Sequence, residues 1–112
     1  MPVNEQLLNR VREALEDLPE VAEKRMFGGI CFMVNDKLCI CVRNTEILCR
    51  IGLETYEDEC EKNGVELMVL GKRVMKGYVL ISPEAMQAAK DFNYWIDISL
   101  VYNKVAKASK RR

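Results

Sequence analysis

The chain has no histidine in its 112 residues, and its 17 basic and 17 acidic side chains cancel. Without histidine the commonest general base is missing, as are the Ser–His and Cys–His nucleophile pairs, and no mixed Cys/His metal site can be completed. Without net charge the molecule as a whole has no pull toward nucleic acid or an acidic membrane surface. Long apolar runs are lacking too. None approaches the roughly 20 residues that span a bilayer, and Pro2 to Asp17 is too polar to read as a signal peptide. The run Glu54-Thr-Tyr-Glu-Asp-Glu-Cys-Glu61 reads as a solvated helix face, and Gly71-Lys72 lacks the flanking residues of a phosphate loop. These absences predict a non-enzymatic protein with no cofactor and no metal, inserted in no membrane.

Against that background the chain carries five cysteines, at 31, 39, 41, 49 and 60. Without an export signal they predict free thiols in a reducing, cytoplasmic setting, and an odd number prevents complete internal pairing. A chain of this length folds around a single core. Residues 1–103 are expected to form one domain, followed by a basic tail, 104–112, read as a solvated helix end. Nucleic acid is not expected as a direct ligand.

Hydrophobic periodicity predicts a first helix over 5–17, capped by Asn4, with Leu7, Leu8, Val11, Leu15 and Leu18 as its apolar stripe and Pro19 ending it. Three short strands follow Met26-Phe-Gly-Gly29, broken at Asn35-Asp36 and Asn44-Thr45. Residues 54–63 read as a second helix closed by Gly64, and Val65–Leu70 and Arg73–Ile81 as a hairpin turning at Gly71-Lys72. Ser82-Pro83-Glu84 starts a last helix, broken near Asp91 and running to about residue 106. The order α-β-β-β-α-β-β-α predicts a two-layer α+β fold: an antiparallel sheet of about five strands with helices on one face.

Strand parity places four of the cysteines. With tight two-residue turns, Ile40 lies opposite Cys31 on one side and Cys49 on the other, sharing a wholly apolar face with Met33, Leu38, Val42, Ile47 and Ile51. Cys39 and Cys41 then point to the opposite face. Two thiols on each side of a sheet cannot converge on one ion, which excludes a tetrahedral zinc site. Lys37 and Arg50, on the face assigned to Cys39, would favour its thiolate if it were accessible.

Two places carry more apolar surface than a single covering layer needs. On the outer face these are Ile30, Phe32, Cys39, Cys41 and Leu48; on the last helix they include Tyr94 and Tyr102. Together they are the candidate surface for a protein partner or a second copy of the chain. A second candidate is an anion site at the hairpin ends, formed by Arg25, Lys72, Arg73 and Lys76.

Arg25-Met-Phe-Gly-Gly29 at the entrance to a strand, Met75-Lys-Gly-Tyr78 in a late strand and Trp95 in the last helix resemble the TfoX/Sxy N-terminal-domain family, over about residues 5 to 103. The resemblance implies a small α+β fold similar to secretion chaperones, which bind proteins and often dimerise. It also implies an association with bacterial competence regulation and gene expression. The family's founding members carry a second, C-terminal domain, and this chain is expected to stand without it. Met26, Phe27, Gly28, Gly29, Gly77, Tyr78 and Trp95 are read as architectural, with Gly77 leaving room for the ring of Phe27 or Trp95. The expected function is therefore protein binding, with small-molecule or anion binding as the alternative.

Overall fold

The computed structural model describes residues 3–107. The first helix, α1 (Glu5–Leu15), begins where Asn4 accepts a 2.9 Å bond from the Leu7 amide. That bond satisfies one of the free N–H groups of the first turn. Its stripe of Leu7, Leu8, Val11 and Leu15 is buried, as the periodicity predicts.

Among the described residues six strands form one antiparallel sheet in the order β1-β2-β3-β4-β6-β5. They are β1 (Val21–Met26), β2 (Gly29–Val34), β3 (Lys37–Arg43), β4 (Glu46–Arg50), β5 (Val65–Leu70) and β6 (Arg73–Ile81). The turns at Asn35-Asp36, Asn44-Thr45 and Gly71-Lys72 fall where the sequence marks them, and Phe27-Gly28 adds a hairpin that it does not. Phe27-Gly28 and Asn35-Asp36 each place two consecutive residues at positive φ, the geometry that matches the twist of a two-residue hairpin. The strand beyond the expected five is β1. It lies at the sheet edge, with Ala22, Glu23, Lys24 and Arg25 all exposed, so it carries no alternating pattern to read.

The expected helix over 54–63 shrinks to α2 (Tyr56–Glu59), anchored by buried Tyr56. The expected last helix is interrupted earlier than Asp91. A 3-10 turn over Pro83–Met86 is followed by α3 (Ala89–Asn103), with Ala88 extended between them. In a continuous helix the Met86 carbonyl would accept from the amide four residues on. Here Arg10 Nη1 of α1 takes it at 3.2 Å, and its guanidinium stacks 4.0 Å over the Phe92 ring. Of the expected basic tail, residues 108–112 lie outside the described residues.

The helices cover one face of the sheet. Beneath them Phe32, Ile40, Val42, Ile47, Cys49, Val79 and Ile81 pack against α1 and against Phe92, Trp95 and Ile96 of α3. The buried polar groups of α3 are paired: Ser99 Oγ donates to the Trp95 carbonyl at 2.7 Å, and Asn103 Nδ2 to the Val34 carbonyl at 3.2 Å. Lys37 Nζ donates to the Asn103 carbonyl at 2.8 Å, placing a cation at the C-terminal end of α3.

Candidate functional site

A single inserted residue decides which face each cysteine occupies. β2 and β3 pair as Ile30↔Val42, Cys31↔Cys41 and Phe32↔Ile40, then shift to Met33↔Leu38, leaving Cys39 unopposed. This is a β-bulge, and it reverses parity along part of the pair. Cys39 turns to the helix side beside Ile40 and Cys49, whereas Cys31, Met33 and Leu38 turn to the outer side with Cys41 and Leu48. The pairs are therefore Cys39/Cys49 and Cys31/Cys41, not Cys31/Cys49 and Cys39/Cys41. Cysteine remains divided between two faces, so the four thiols still cannot meet at one ion.

The outer face is not bare. Cys31, Met33, Leu38, Cys41, Leu48 and Met68 form a second buried cluster, with Met26, Phe27, Met75, Tyr78 and Leu80 packed around it. Four of the chain's six methionines lie here, flexible thioethers suited to an irregular space. The space is irregular because the β5–β6 ribbon bends. Leu67 pairs with Val79 but Val69 with Val74, so Met75 to Tyr78 arch opposite Met68. Gly77, at φ +89°, forms the corner, and its carbonyl accepts the amides of Ile51 and Gly52 at 2.9 and 3.0 Å. A Cβ on Gly77 would lie 3.4 Å from the Gly52 carbonyl carbon, so its close neighbour is Gly52 and not the Phe27 or Trp95 ring. Met68 closes the cluster, its sulfur 3.2 Å from Arg43 Nη1.

The expected partner surface is thereby largely occupied. Phe32 and Cys39 are buried under the helices, and Cys41 and Leu48 within the outer cluster, each at most 1% exposed. Ile30 is half-buried and packs toward the helix side. Tyr94 is exposed, but its Oη donates to Glu59 Oε2 at 2.5 Å and accepts from Lys62 Nζ at 3.2 Å. Tyr102 is half-buried; its ring lies 5.7 Å from the Arg50 guanidinium and fills the space beside Gly52.

Nor does the Cys39 thiol meet the cations expected to activate it. Lys37 is engaged at α3 and Arg50 Nη1 donates to the Leu38 carbonyl at 3.4 Å. Burial pushes the Cys39 thiol up to about 12, against a smaller opposing effect of Arg50.

The candidate anion residues do not share a site. Arg25 sits on β1, where it lines a cleft of about 580 Å³ with Arg12, Glu23 and Lys24. Lys72, Arg73 and Lys76 are exposed on the β5–β6 ribbon, at the other end of the strand order. A Cβ on Gly29 would fall 2.0 Å from the Val42 carbonyl oxygen, so only glycine fits. Trp95 is buried and donates to the Ala85 carbonyl at 3.0 Å, and Tyr78 is half-buried against the outer cluster.

The surface that sequence reading missed is on β5 and its hairpin partner. Leu67, Val69, Leu70 and Val74 are 41%, 51%, 41% and 41% exposed. Val69 and Val74 face each other across the ladder, with Leu70 next along β5. The signal was the run Val65-Glu-Leu-Met-Val-Leu70, with one charge. Such a run reads as a strand buried on both faces. In the fold it is an edge strand, and only Val65 and Met68 are buried.

Comparison with known families bears on the whole fold. The model of the TfoX N-terminal domain matches residues 13–101, and the chain belongs to that family. No curated protein and no solved structure matches it.

Proposed function

We propose that this TfoX N-terminal domain is a protein-binding module without catalytic activity, and that the β5–β6 ribbon is its binding surface. One observation carries the reading: Leu67, Val69, Leu70 and Val74 are exposed together at an open sheet edge. Proteins usually blunt such edges with charge, because the free N–H and C=O groups of an edge strand accept another strand. An incoming strand would pair with the β5 backbone and cover the apolar side chains beside it. A second copy of the chain offers the same edge and makes a self-complementary, two-fold contact. The family's association with competence regulation supports a role for that binding in gene expression.

Sedimentation velocity across micromolar concentrations tests the homotypic form. Reversible dimerisation is expected, and it should be weakened by the double substitution Leu67→Lys/Val69→Lys. A strict monomer would remove the second copy as partner. Retention of a co-purified native partner by that double variant would remove the surface itself.

A further inference from the structure

The cysteine pair on the outer face has a geometry that the other thiols lack. Cys31 and Cys41 are directly opposed across β2 and β3, on the same side of the sheet. Opposed Cα atoms in an antiparallel pair lie about 4.5 or about 5.5 Å apart, inside the roughly 4.4–6.8 Å that a disulfide spans. The two sulfurs converge: each Sγ lies 3.7 Å from the same Met26 carbonyl oxygen. Facing each other across the ladder, the two thiols interact, and the Cys41 side chain lowers the Cys31 thiol from its ordinary value against the opposing effect of burial. The same contact, with burial, pushes Cys41 up. By contrast Cys39 is unopposed at the bulge and Cys49 faces Ile40.

We propose that Cys31 and Cys41 are an oxidisable dithiol that hydrogen peroxide converts to a disulfide between β2 and β3. The Cys31 thiolate attacks one peroxide oxygen, the O–O bond breaks, and hydroxide leaves with the electron pair and takes up the displaced proton as water. Cys31 is then a sulfenic acid. The Cys41 sulfur attacks it, the S–S bond forms, and the sulfenic hydroxyl departs with the Cys41 proton as a second water. Two thiols and one peroxide give one disulfide and two waters; two electrons pass from sulfur to oxygen.

Both thiols are fully buried, so reaction waits on local opening. Met26 and Phe27 at the β1–β2 turn cover them together with Met68 and Met75 of the β5–β6 ribbon, and two features make the turn the route. Phe27 sits at φ +56°, a conformation unfavourable to a bulky side chain, and Gly28 is exposed. Beneath the pair, the bulge at Cys39 interrupts the β2–β3 ladder. Peroxide is little larger than water and needs only a small opening. Oxidation consumes both S–H donors, so the Met26 carbonyl beside the motif turn loses its two sulfur partners.

Cys60→Ser removes the one thiol that is not fully buried and leaves four. The folded variant is treated with peroxide, quenched, unfolded and alkylated. The expected result is two alkylated thiols instead of four, a peptide map joining Cys31 to Cys41, and return to four on reduction with dithiothreitol. Adding Cys31→Ser should abolish the cross-link. The proposal is overturned if four thiols remain alkylatable, if the link joins Cys39 to Cys49, or if it forms only when oxidation follows unfolding in urea. Because the map is made on a chain that retains both cysteines, it does not depend on the folding of the Cys31 variant.

Discussion

The two edges of the sheet are treated in opposite ways. At β1, Glu23, Lys24 and Arg25 are exposed, and the strand is tied to α1 by a two-point ion pair, Arg12 Nε and Nη2 to the Glu23 carboxylate at 2.8 and 2.9 Å. At β5 the exposed side chains are Leu67, Val69, Leu70 and Glu66, and Glu66 is the strand's single charge. Charge along an edge discourages another strand, and apolar side chains invite one. That difference is what the proposed binding surface rests on: β1 is guarded by charge, whereas β5 exposes apolar side chains.

The strands next to the two edges, β2 and β6, depend on glycine for different reasons, and substitution should separate them. Gly29→Ala is expected to have the largest effect, a loss of about 3 kcal/mol, because its Cβ would overlap the Val42 backbone oxygen and nothing flexible can yield. Urea unfolding would measure it, and near-wild-type stability would contradict the close approach. Gly77→Ala should cost less, roughly 1–2 kcal/mol. Its nearest neighbours are at ordinary contact distance, so the penalty comes from φ +89° alone. A larger loss at Gly77 than at Gly29 would invert the comparison.

Leu67→Lys/Val69→Lys should leave stability within about 0.5 kcal/mol, as surface changes do, yet weaken self-association at least about tenfold. Calorimetry and sedimentation read the two effects separately. The smallest effect is expected for Glu23→Gln. Hydrogen bonding from Arg12 holds the Glu23 carboxyl below its ordinary value, outweighing a smaller desolvation effect. A carboxyl lowered in the folded state adds stability above its unfolded pKa, and that stability fades as pH falls through the folded value. The variant should therefore be slightly less stable than the parent at neutral pH and equal to it in acid. Since the pair is exposed, roughly 1 M salt should erase even the neutral-pH difference.

Much of this fold was legible in the sequence, and the failures have specific causes. Asn4, Asn35-Asp36, Gly71-Lys72 and Ser82-Pro83 each act through their own backbone preferences, so the caps and turns fell where those residues stand. β1 escaped notice because an exposed edge strand has no buried face to impose alternation. The last helix breaks early at the extended Ala88, and Arg10, 76 residues upstream, takes the Met86 carbonyl that a continuous helix would use. The candidate surface was misplaced for two reasons. The bulge carried Phe32 and Cys39 under the helices, and the bent ribbon covered Cys41 and Leu48.

The sequence by itself determined the turns, the stripe of α1, the antiparallel order of β2 to β4 and the absence of histidine chemistry. Each rests on a local preference or on residue identity. Which cysteines share a face, which apolar side chains reach the surface and which thiols can join were decided only by the tertiary structure. A strand's side chains alternate with period two, so one extra residue reverses every assignment beyond it. Whether that residue is accommodated depends on what packs on each side of the sheet: here, helices over Cys39 and the folded ribbon over Cys31 and Cys41.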